Sequence, residues 1–250
     1  MSYFIILAGG KGSRFHPITK YYPKEMLPLG RFPAFHYILR ESDIPEATNI
    51  IILYRYFGDM LKEYAKNEFP HLFEKIEFIQ QPDTEIYGTG ASLFKLKNIL
   101  QNEKFFSISF SDDVIFGENC FVGMYELLRK KDFSGCIATS KVKQDEVPQF
   151  GNLKISPNGL ITKIIQKPTI NKAFSNNALV SKLILSPDIF YFLNNSYYKD
   201  ELDLGVALSK MCEIKRIASY SVTHKWATTG DPYNYAKGVN LWYKNSMKKF

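Results

Sequence analysis

The feature that most constrains the fold is an alternation of short, strongly apolar runs with amphipathic stretches over the first 133 residues. The apolar runs predict buried strands at Tyr3–Ala8, Asn49–Tyr54, Lys75–Gln80 and Lys104–Phe110. The amphipathic stretches predict helices at Phe35–Arg40, Phe57–Lys66, Ala91–Leu100 and Phe121–Lys130. Regular alternation of strands and helices predicts a mainly parallel sheet with helices on both faces.

The second half of the chain has a different pattern. Further strands are predicted at Gly135–Val142, Gly151–Ser156, Leu160–Gln166, Ala178–Leu185 and Arg216–Val222. Asn158-Gly159 joins two of them and is a strong hairpin signal. Short helices are predicted at Asp188–Leu193, Asp203–Cys212 and Pro232–Tyr243. We therefore expect an α/β protein with three αβα layers, Rossmann-like, whose mixed but mainly parallel sheet gains small antiparallel additions in the second half.

Length and composition place this fold in one soluble globular domain. The chain has 250 residues, of which 45% are hydrophobic and 23% charged, values that are ordinary for such a domain. We expect one domain over residues 1–250, divided into a first half (1–133) and a second half (134–250) of different strand pattern. No apolar run is long enough to span a bilayer, and we expect no signal peptide, no membrane partner and no additional C-terminal domain.

The three cysteines are Cys120, Cys136 and Cys212. They are few, odd in number and far apart, which argues against a disulfide framework and against a zinc site. We expect each to be a small buried side chain, and we expect the protein to lie in a reducing cytoplasm.

The net charge of +7 is concentrated in the second half of the chain. Residues 1–125 contain 13 Lys+Arg and 15 Asp+Glu, whereas residues 126–250 contain 19 and 10. A basic half is one mark of a nucleic-acid binder, but these basic residues are mostly scattered, so we expect a solvated surface and no nucleic-acid partner. A small polyanionic substrate also fits this charge.

A glycine-rich turn follows the first predicted strand. Gly9, Gly10 and Gly12 allow a sharp turn whose successive backbone amides can bind an anion. The turn is neither a Walker A loop, which would need glycine at Ile5, nor a dinucleotide fingerprint, which would need glycine at Phe15. The glycines alone therefore fit either a phosphate-binding loop of another type or an ordinary strand-to-helix turn, and the residues that follow decide between them.

The sequence LAGGKGSRF, from residue 7 to 15, and the sequence TKYYPKEMLPLG, from 19 to 30, together resemble the signature of the sugar-1-phosphate nucleotidyltransferases. The segment PKEMLPL, from residue 23 to 29, is similar to that of the glucose-1-phosphate uridylyltransferase branch. This resemblance implies transfer of a nucleotidyl group from UTP to glucose 1-phosphate with release of pyrophosphate, on the nucleotide-diphospho-sugar transferase fold, with Mg²⁺ as cofactor. Thymidylyl- and cytidylyltransferases, including the phosphocholine branch, remain alternatives, as does a regulatory subunit that binds nucleotide sugar without turnover.

Charge builds on the departing pyrophosphate in such a reaction, so cations near it lower the barrier. The resemblance implies that Arg14 and Lys24 are the catalytic cations. The predicted nucleotide-binding residues of the loop are Leu7, Ala8, Gly9, Gly10, Lys11 and Gly12.

Two further strand ends complete the nucleotide side. The family places a glutamine beside the base and a small-residue loop after it, which implies Gln81, or else Gln80, together with Gly88 and Thr89. Carboxylates that follow a strand next to a phosphate loop suit Mg²⁺. The resemblance implies Asp112 as the metal ligand, with Asp113 second to it and otherwise on the sugar-phosphate side.

The acceptor side matches the family less closely. Gly151 is predicted to border the hexose and Lys167 to bind its phosphate, and Gln166 stands where the family usually has glutamate. Thr228 replaces a usual aspartate that is a second metal ligand, and a hydroxyl is a poor substitute for a carboxylate. Either the metal relies on Asp112 and phosphate oxygens, or Asp231 contributes. A homo-oligomer is possible.

Overall fold

The computed structural model describes residues 2–81, 88–198 and 200–246. The strands in these residues are β1 (Tyr3–Ala8), β2 (Pro28–Leu29), β3 (Phe32–Pro33), β4 (Asn49–Tyr54), β5 (Ile76–Gln80), β6 (Phe106–Phe110), β7 (Asp113–Phe116), β8 (Gly135–Lys141), β9 (Gly151–Ile155), β10 (Leu160–Gln166), β11 (Asn177–Leu185), β12 (Tyr197–Tyr198), β13 (Glu201–Leu202), β14 (Ile217–Ser221) and β15 (Lys225–Thr228). The α-helices are α1 (Ala34–Glu41), α2 (Gly58–Glu68), α3 (Pro70–Phe73), α4 (Thr89–Phe94), α5 (Lys97–Leu100), α6 (Cys120–Lys130), α7 (Ile189–Leu193), α8 (Leu204–Ile214) and α9 (Pro232–Ser246).

Nine of these strands form one mixed sheet in the order β5-β4-β1-β6-β11-β8-β14-β10-β9. The first four run parallel. Strand β11 is antiparallel to both of its neighbours, β8 and β14 are parallel, and β10 is antiparallel to β14 and β9. The predicted α/β class, with a mixed sheet and antiparallel additions in the second half, is confirmed.

Both faces of the sheet are buried, as the all-apolar strand sequences require. Alternate side chains of a strand point to opposite faces. Phe4 and Ile6 of β1 join one core cluster with α1 and α6, and Ile5 and Leu7 join a second cluster with α4, α5 and α8. The helices therefore form one layer on each side of the sheet.

The single helix predicted over Ala91–Leu100 is instead two short helices, α4 and α5. Leu96 lies between them with non-helical angles (φ −88°, ψ 3°) and is 2% exposed. Its burial in the same core cluster as Leu93 and Leu100 explains the break, because tertiary packing overrides helix propensity.

The carboxyl ends of β1, β4, β5 and β6 lie at one edge of the sheet, where ligands of parallel sheets bind. A two-stranded antiparallel ladder of β7 and β15 stands at the same edge and pairs Asp113 with Thr228. In the described ranges, no helix is both long enough and apolar enough to cross a membrane.

Candidate active site

A deep cleft opens at this edge of the sheet and consists of two adjoining cavities of about 590 and 380 Å³. The two cavities share five residues, namely Arg14, Thr89, Phe110, Asp112 and Lys167. The larger cavity extends to the loops of the second half, and the smaller one to the glycine-rich turn. A size of this order suits a nucleotide and its acceptor.

The glycine-rich turn lies against two of the predicted site residues. A methyl group on Gly9 would lie 2.1 Å from Gln81 Oε1, and one on Gly10 would lie 2.9 Å from Lys24 Cε. A methyl group at either place would push the end of the Gln81 or the Lys24 side chain away, and glycine permits this close approach. The turn therefore holds Gln81 and Lys24 in contact with the backbone that is predicted to bind phosphate.

The two candidate glutamines have different surroundings. Gln81 is buried and packs on Gly9, with its backbone amide donating to Tyr54 O at 2.6 Å. Gln80 instead donates from its side-chain amide to Arg55 O at 3.3 Å. The structure thus brings Gln81 to the glycine-rich turn and turns Gln80 toward the neighbouring strand end.

Lys24 and Asp112 form an ion pair inside the cleft, with 2.8 Å between Nζ and Oδ2. Glu25 is also near, at 3.8 Å from Lys24 Nζ, and accepts a hydrogen bond from Ser111 Oγ at 3.1 Å. Burial alone would lower the Lys24 pKa, but the charges of Asp112 and Glu25 outweigh it and raise that pKa. Lys24 is therefore a fixed ammonium at neutral pH.

The same contact affects the Asp112 carboxylate. Burial acts to raise the Asp112 pKa, but the charge of Lys24 and its hydrogen bond outweigh burial and lower it. The pKa of Asp113 is raised, first by burial and then by the charge of Asp112. Of these two carboxyl groups, Asp112 is thus the one whose ionised form its surroundings favour.

Asp113 is held on both sides by protein donors. Its Oδ2 accepts the Ser181 backbone N–H at 3.0 Å, and its Oδ1 accepts Trp226 Nε1 at 3.1 Å. It still lines the larger cavity, where it is predicted to face the sugar phosphate.

The loop after β15 closes the cleft over Asp112. Thr229 N donates to Asp112 O at 2.6 Å, and Arg14 Nη1 donates to Gly230 O at 3.4 Å. Asp231 begins α9, with its Oδ1 accepting Asn234 N at 3.0 Å and its Oδ2 accepting Asn234 Nδ2 at 2.8 Å. Both of its oxygens are therefore engaged as a helix cap.

The Asp112 carboxylate is a suitable ligand for Mg²⁺, but the protein supplies fewer oxygens here than the ion requires. Mg²⁺ prefers six oxygen ligands and is usually bound by one or two carboxylates plus phosphate oxygens and water. The Asp112 side chain is 30% exposed to the cleft, and in the described part of the chain no three His, Cys, Asp or Glu side chains gather to hold a metal. Asp112 could thus hold Mg²⁺ together with substrate oxygens.

The acceptor end contains Gly151, Gln166 and Lys167, all of which line the larger cavity. Lys167 has a left-handed backbone (φ 42°), which is uncommon for a residue other than glycine. Its backbone amide donates to Phe150 O at 3.1 Å. The Gln166 amide packs so closely on Gly205 that a methyl group there would lie 1.6 Å from Nε2.

Three of the six remaining predicted residues also border the cleft. Thr89 lines both cavities, with its Oγ1 accepting Leu204 N at 3.2 Å, and Leu7 and Gly88 line the smaller one. Ala8, Lys11 and Gly12 lie on the other side of the turn: Ala8 and Lys11 line a small separate cavity with Lys24, and the Gly12 carbonyl accepts Thr19 Oγ1 at 2.7 Å.

Several cleft residues were not predicted. Arg55 follows β4, lines the smaller cavity and donates from Nε to Gly9 O at 3.3 Å. Its place at a parallel strand end is the same signal that identified Gln81, so it could have been found. Asp203 and Gly205 at the start of α8 line the larger cavity, and no motif in the sequence marks them.

The family described as nucleotidyl transferase matches residues 3–243. The chain therefore belongs to the nucleotidyl transferase family, and the sugar-1-phosphate nucleotidyltransferase resemblance of the opening motif is confirmed.

Individual relatives agree with this placement. The chain is 30% identical over 232 residues to the bifunctional protein GlmU of Methanococcus maripaludis strain C5, covering 92% of this chain and 52% of the relative. It spans about half the length of the GlmU relatives that it matches. It is also 27% identical over 259 residues to the UTP–glucose-1-phosphate uridylyltransferase of Bacillus subtilis strain 168, covering 92% of this chain and 87% of the relative.

The fold matches solved structures along nearly its full length. A UDP-glucose pyrophosphorylase solved with UDP-glucose superposes with a TM-score of 0.83 at 24% identity, covering 98% of this chain and 99% of that one. At this level of identity the likeness shows the shared fold.

Proposed function

We propose that this protein is a Mg²⁺-dependent nucleotidyltransferase that transfers UMP from UTP to glucose 1-phosphate, giving UDP-glucose and pyrophosphate. The observation that carries the proposal is the contact of Lys24 with both the glycine-rich turn and Asp112, in a cleft that also contains Arg14 and Lys167. The amides predicted to bind phosphate, the cations of Arg14, Lys24 and Lys167 and the ionised carboxylate of Asp112 therefore border one space. The family membership and the Bacillus subtilis relative support the choice of reaction and substrates.

The nucleotide would lie along the turn. Its triphosphate would meet the amides that follow β1 together with Arg14 and Lys24, while Gln81, Gly88 and Thr89 would border the base. The amide of Gln81 offers both a donor and an acceptor, as the edge of uracil requires. Arg55 supports this arrangement from below by fixing the Gly9 carbonyl.

The acceptor would enter through the larger cavity. Lys167 would bind the phosphate of glucose 1-phosphate and aim one of its oxygens at the α-phosphorus of UTP, while Gly151, Gln166 and Asp113 would border the sugar phosphate. That oxygen forms the new P–O bond as the bond between the α-phosphorus and the bridging oxygen breaks, and pyrophosphate leaves with the electron pair.

The barrier falls because charge that moves onto pyrophosphate meets cations already in place. Asp112 and Glu25 raise the Lys24 pKa and so keep its ammonium charged at neutral pH, and Arg14 donates to the Gly230 carbonyl. When bound at Asp112, Mg²⁺ would add further neutralisation of phosphate charge. No protein nucleophile is required, because the acceptor oxygen attacks directly.

A substrate panel tests the proposal. UTP, dTTP and CTP are each combined with glucose 1-phosphate, N-acetylglucosamine 1-phosphate and phosphocholine, and pyrophosphate release is measured with and without Mg²⁺. We expect the highest kcat/KM for UTP with glucose 1-phosphate and no release without metal. Release that is faster with another pair would reassign the substrates. Nucleotide-sugar binding measured by calorimetry, without release from any pair, would overturn catalysis itself.

A further inference from the structure

A second cleft of about 570 Å³ lies behind the active site, between the end of β8, strand β15 and helix α9. We call it the rear cleft. It shares Phe150, Thr228 and Asn234 with the larger active-site cavity. None of the four cations and carboxylates assigned to the transfer reaction (Arg14, Lys24, Asp112 and Lys167) lines it. The proposed reaction therefore gives this cleft no role.

One wall of the rear cleft is apolar and aromatic. The rings of Phe150 and Trp226 pack with centroids 4.9 Å apart, and both side chains are partly exposed toward the cleft together with Val142 and Leu241. A flat ring can stack on such a surface. This wall suits a ligand that contains a planar aromatic group.

The rim of the rear cleft is strongly basic. Lys141, Lys143 and Lys225 are exposed there, and over residues 2–81, 88–198 and 200–246 no carboxylate lies within 4 Å of their ammonium groups. Lys237 also lines the cleft but pairs with Glu146 at 2.9 Å. The rim thus has an excess of positive charge, which attracts phosphate.

Trp226 joins the rear cleft to the active site. Its ring lines the rear cleft, while its Nε1 donates to Asp113 Oδ1 at 3.1 Å on the other side of the ladder. A ligand stacked on this ring would touch the residue that orients Asp113. A ligand bound in the rear cleft could therefore change the position of Asp113 through Trp226.

We propose that the rear cleft binds one nucleoside phosphate, with the base against Trp226 and Phe150 and the phosphates against Lys141 and Lys225. A volume of this order holds a single nucleotide. The aromatic wall would hold the base by stacking, and the lysines of the rim would hold the phosphates by ion pairing. This site is separate from the nucleotide position proposed for the transfer reaction.

UDP binding, measured by equilibrium dialysis and calorimetry, tests the proposal with three variants. The double variant Lys141→Gln with Lys225→Gln removes the rim charge, and Arg14→Ala with Lys24→Ala removes the active-site cations. Lys62→Gln with Lys66→Gln on the exposed face of α2 is the matched control for lost charge. Circular dichroism checks that each variant folds.

We expect one UDP binding event that survives in Arg14→Ala with Lys24→Ala and in the α2 control. In Lys141→Gln with Lys225→Gln it should weaken about tenfold or more, as expected for lost charge-assisted contacts. UDP binding that the rim variant leaves unchanged, or no binding outside the active site, would overturn the proposal. So would tighter binding of oligouridylate than of UDP to the same lysines, which would assign the surface to RNA. These outcomes do not depend on whether the transfer reaction occurs.

Fluorescence gives an independent readout, because the chain has two tryptophans, Trp226 and Trp242. In a Trp242→Phe background the signal comes from Trp226 alone. We expect UDP to change it in that background, also when Arg14 and Lys24 are replaced by alanine, and not when Lys141 and Lys225 are replaced by glutamine. An unchanged Trp226 signal on UDP binding would contradict stacking on this ring.

Discussion

The Lys24 ammonium and the Asp112 carboxylate, 88 residues apart in the chain, meet at 2.8 Å. This contact joins the short helix at Lys24–Met26, between β1 and β2, to the end of β6. Strands β1 and β6 are parallel neighbours. Each charge shifts the pKa of the other toward its ionised form. The site thus holds a cation and an anion in place before a substrate arrives, and this preorganisation lowers the cost of charge movement in a transferase.

Replacement of Lys24 by alanine tests the cation in this pair. We expect Lys24→Ala to keep the fold and to lower kcat by about 10²–10³-fold, the usual effect of losing one preorganised charge stabiliser. Turnover is measured by UDP-glucose formation, and the melting temperature checks the fold. Lys20→Ala, an exposed lysine in the neighbouring short helix, is the matched control. Near wild-type turnover in Lys24→Ala would contradict the mechanism.

Asparagine substitutions show which of the two predicted metal ligands, Asp112 or Asp231, binds Mg²⁺. Asp112→Asn removes the ionised oxygen of the cleft, so we expect the Mg²⁺ concentration for half-maximal activity to rise about tenfold or more. Asp231→Asn keeps a good helix cap, and its oxygens already serve Asn234, so we expect little change. Mn²⁺ binding in the presence of UTP, followed by electron paramagnetic resonance, gives a second measurement. A larger loss of metal in Asp231→Asn would move the metal to that residue.

The parts of the site that follow parallel strands could be predicted from sequence, because apolar runs and the glycine turn mark where those strands end. Tyr3–Ala8 and Asn49–Tyr54 have the predicted bounds, and Leu160–Gln166 does as well. The closing elements could not be predicted. Strand β15 has the sequence KWAT, with one buried residue, and its pairing with β7 bridges more than a hundred residues.

The contacts of Asp113 and Asp231 illustrate the same limit. Sequence alone marks them as acidic residues near a strand end or a helix start. Their partners, Ser181, Trp226 and Asn234, are set by tertiary packing and by the cap of α9. The pattern therefore located these carboxylates without showing that each is already bonded to protein donors.

The contact between Gly9 and Gln81 predicts the effect of one methyl group. In Gly9→Ala the new methyl would overlap Gln81 Oε1, so the glutamine must move. We expect the KM for UTP to rise about tenfold, which corresponds to about 1.4 kcal/mol, with a smaller change in the KM for glucose 1-phosphate. Gly159→Ala lies in the β9–β10 turn, away from the cleft, with open space but a left-handed backbone (φ 81°). It should therefore cost some stability and leave both KM values unchanged. Equal effects on both substrates in Gly9→Ala would argue against a nucleotide-specific role of Gln81.

The burial of the three cysteines predicts slow reaction of their thiols in the folded protein. All three are buried, and burial raises the pKa of Cys136 to about 12 and that of Cys212 to about 12. At pH 8 a thiol with such a pKa is about 10⁻⁴ thiolate, so Ellman's reagent should react very slowly with the native protein. Guanidinium should release all three thiols. Fast native labelling would contradict the burial.

The same raised thiol pKa values predict how the stability of the protein changes at alkaline pH. The folded thiol holds its proton up to a higher pH than the unfolded thiol, whose pKa is 9.0. The unfolded state therefore loses protons first, and these groups make the protein less stable as pH rises from about 9 toward 12. Below pH 9 they have no such effect. Urea unfolding of Cys136→Ala and the wild type at pH 8 and 10 measures this slope, which should be smaller in the variant.

A buried ion pair beneath the acceptor site gives the last prediction. Lys182 is fully buried, with Nζ 2.6 Å from Glu41 Oε2 and 2.7 Å from Ser109 Oγ. It follows Ser181, whose amide holds Asp113, and both of these residues line the larger cavity. Lys182→Met would leave the Glu41 carboxylate without a counter-charge, at a cost of about 3–5 kcal/mol. The double variant Lys182→Met with Glu41→Leu should recover most of this loss, because an apolar pair removes both buried charges.

The pH dependence of that loss distinguishes charge from packing. Burial raises the Glu41 pKa, and Lys182 lowers it in part, so the Glu41 pKa in Lys182→Met should rise further. A carboxyl with a raised folded pKa destabilises the protein fully above that pKa. The cost shrinks as pH falls below the folded pKa and is gone below the unfolded value of 4.5. Urea unfolding should therefore show a larger loss for Lys182→Met at pH 8 than at pH 5. Two results would contradict this explanation: an equal loss at both pH values, or a double variant that is as unstable as the single one. Either would mean that the lost packing contacts of the Lys182 side chain, and not the unpaired Glu41 charge, cause the effect.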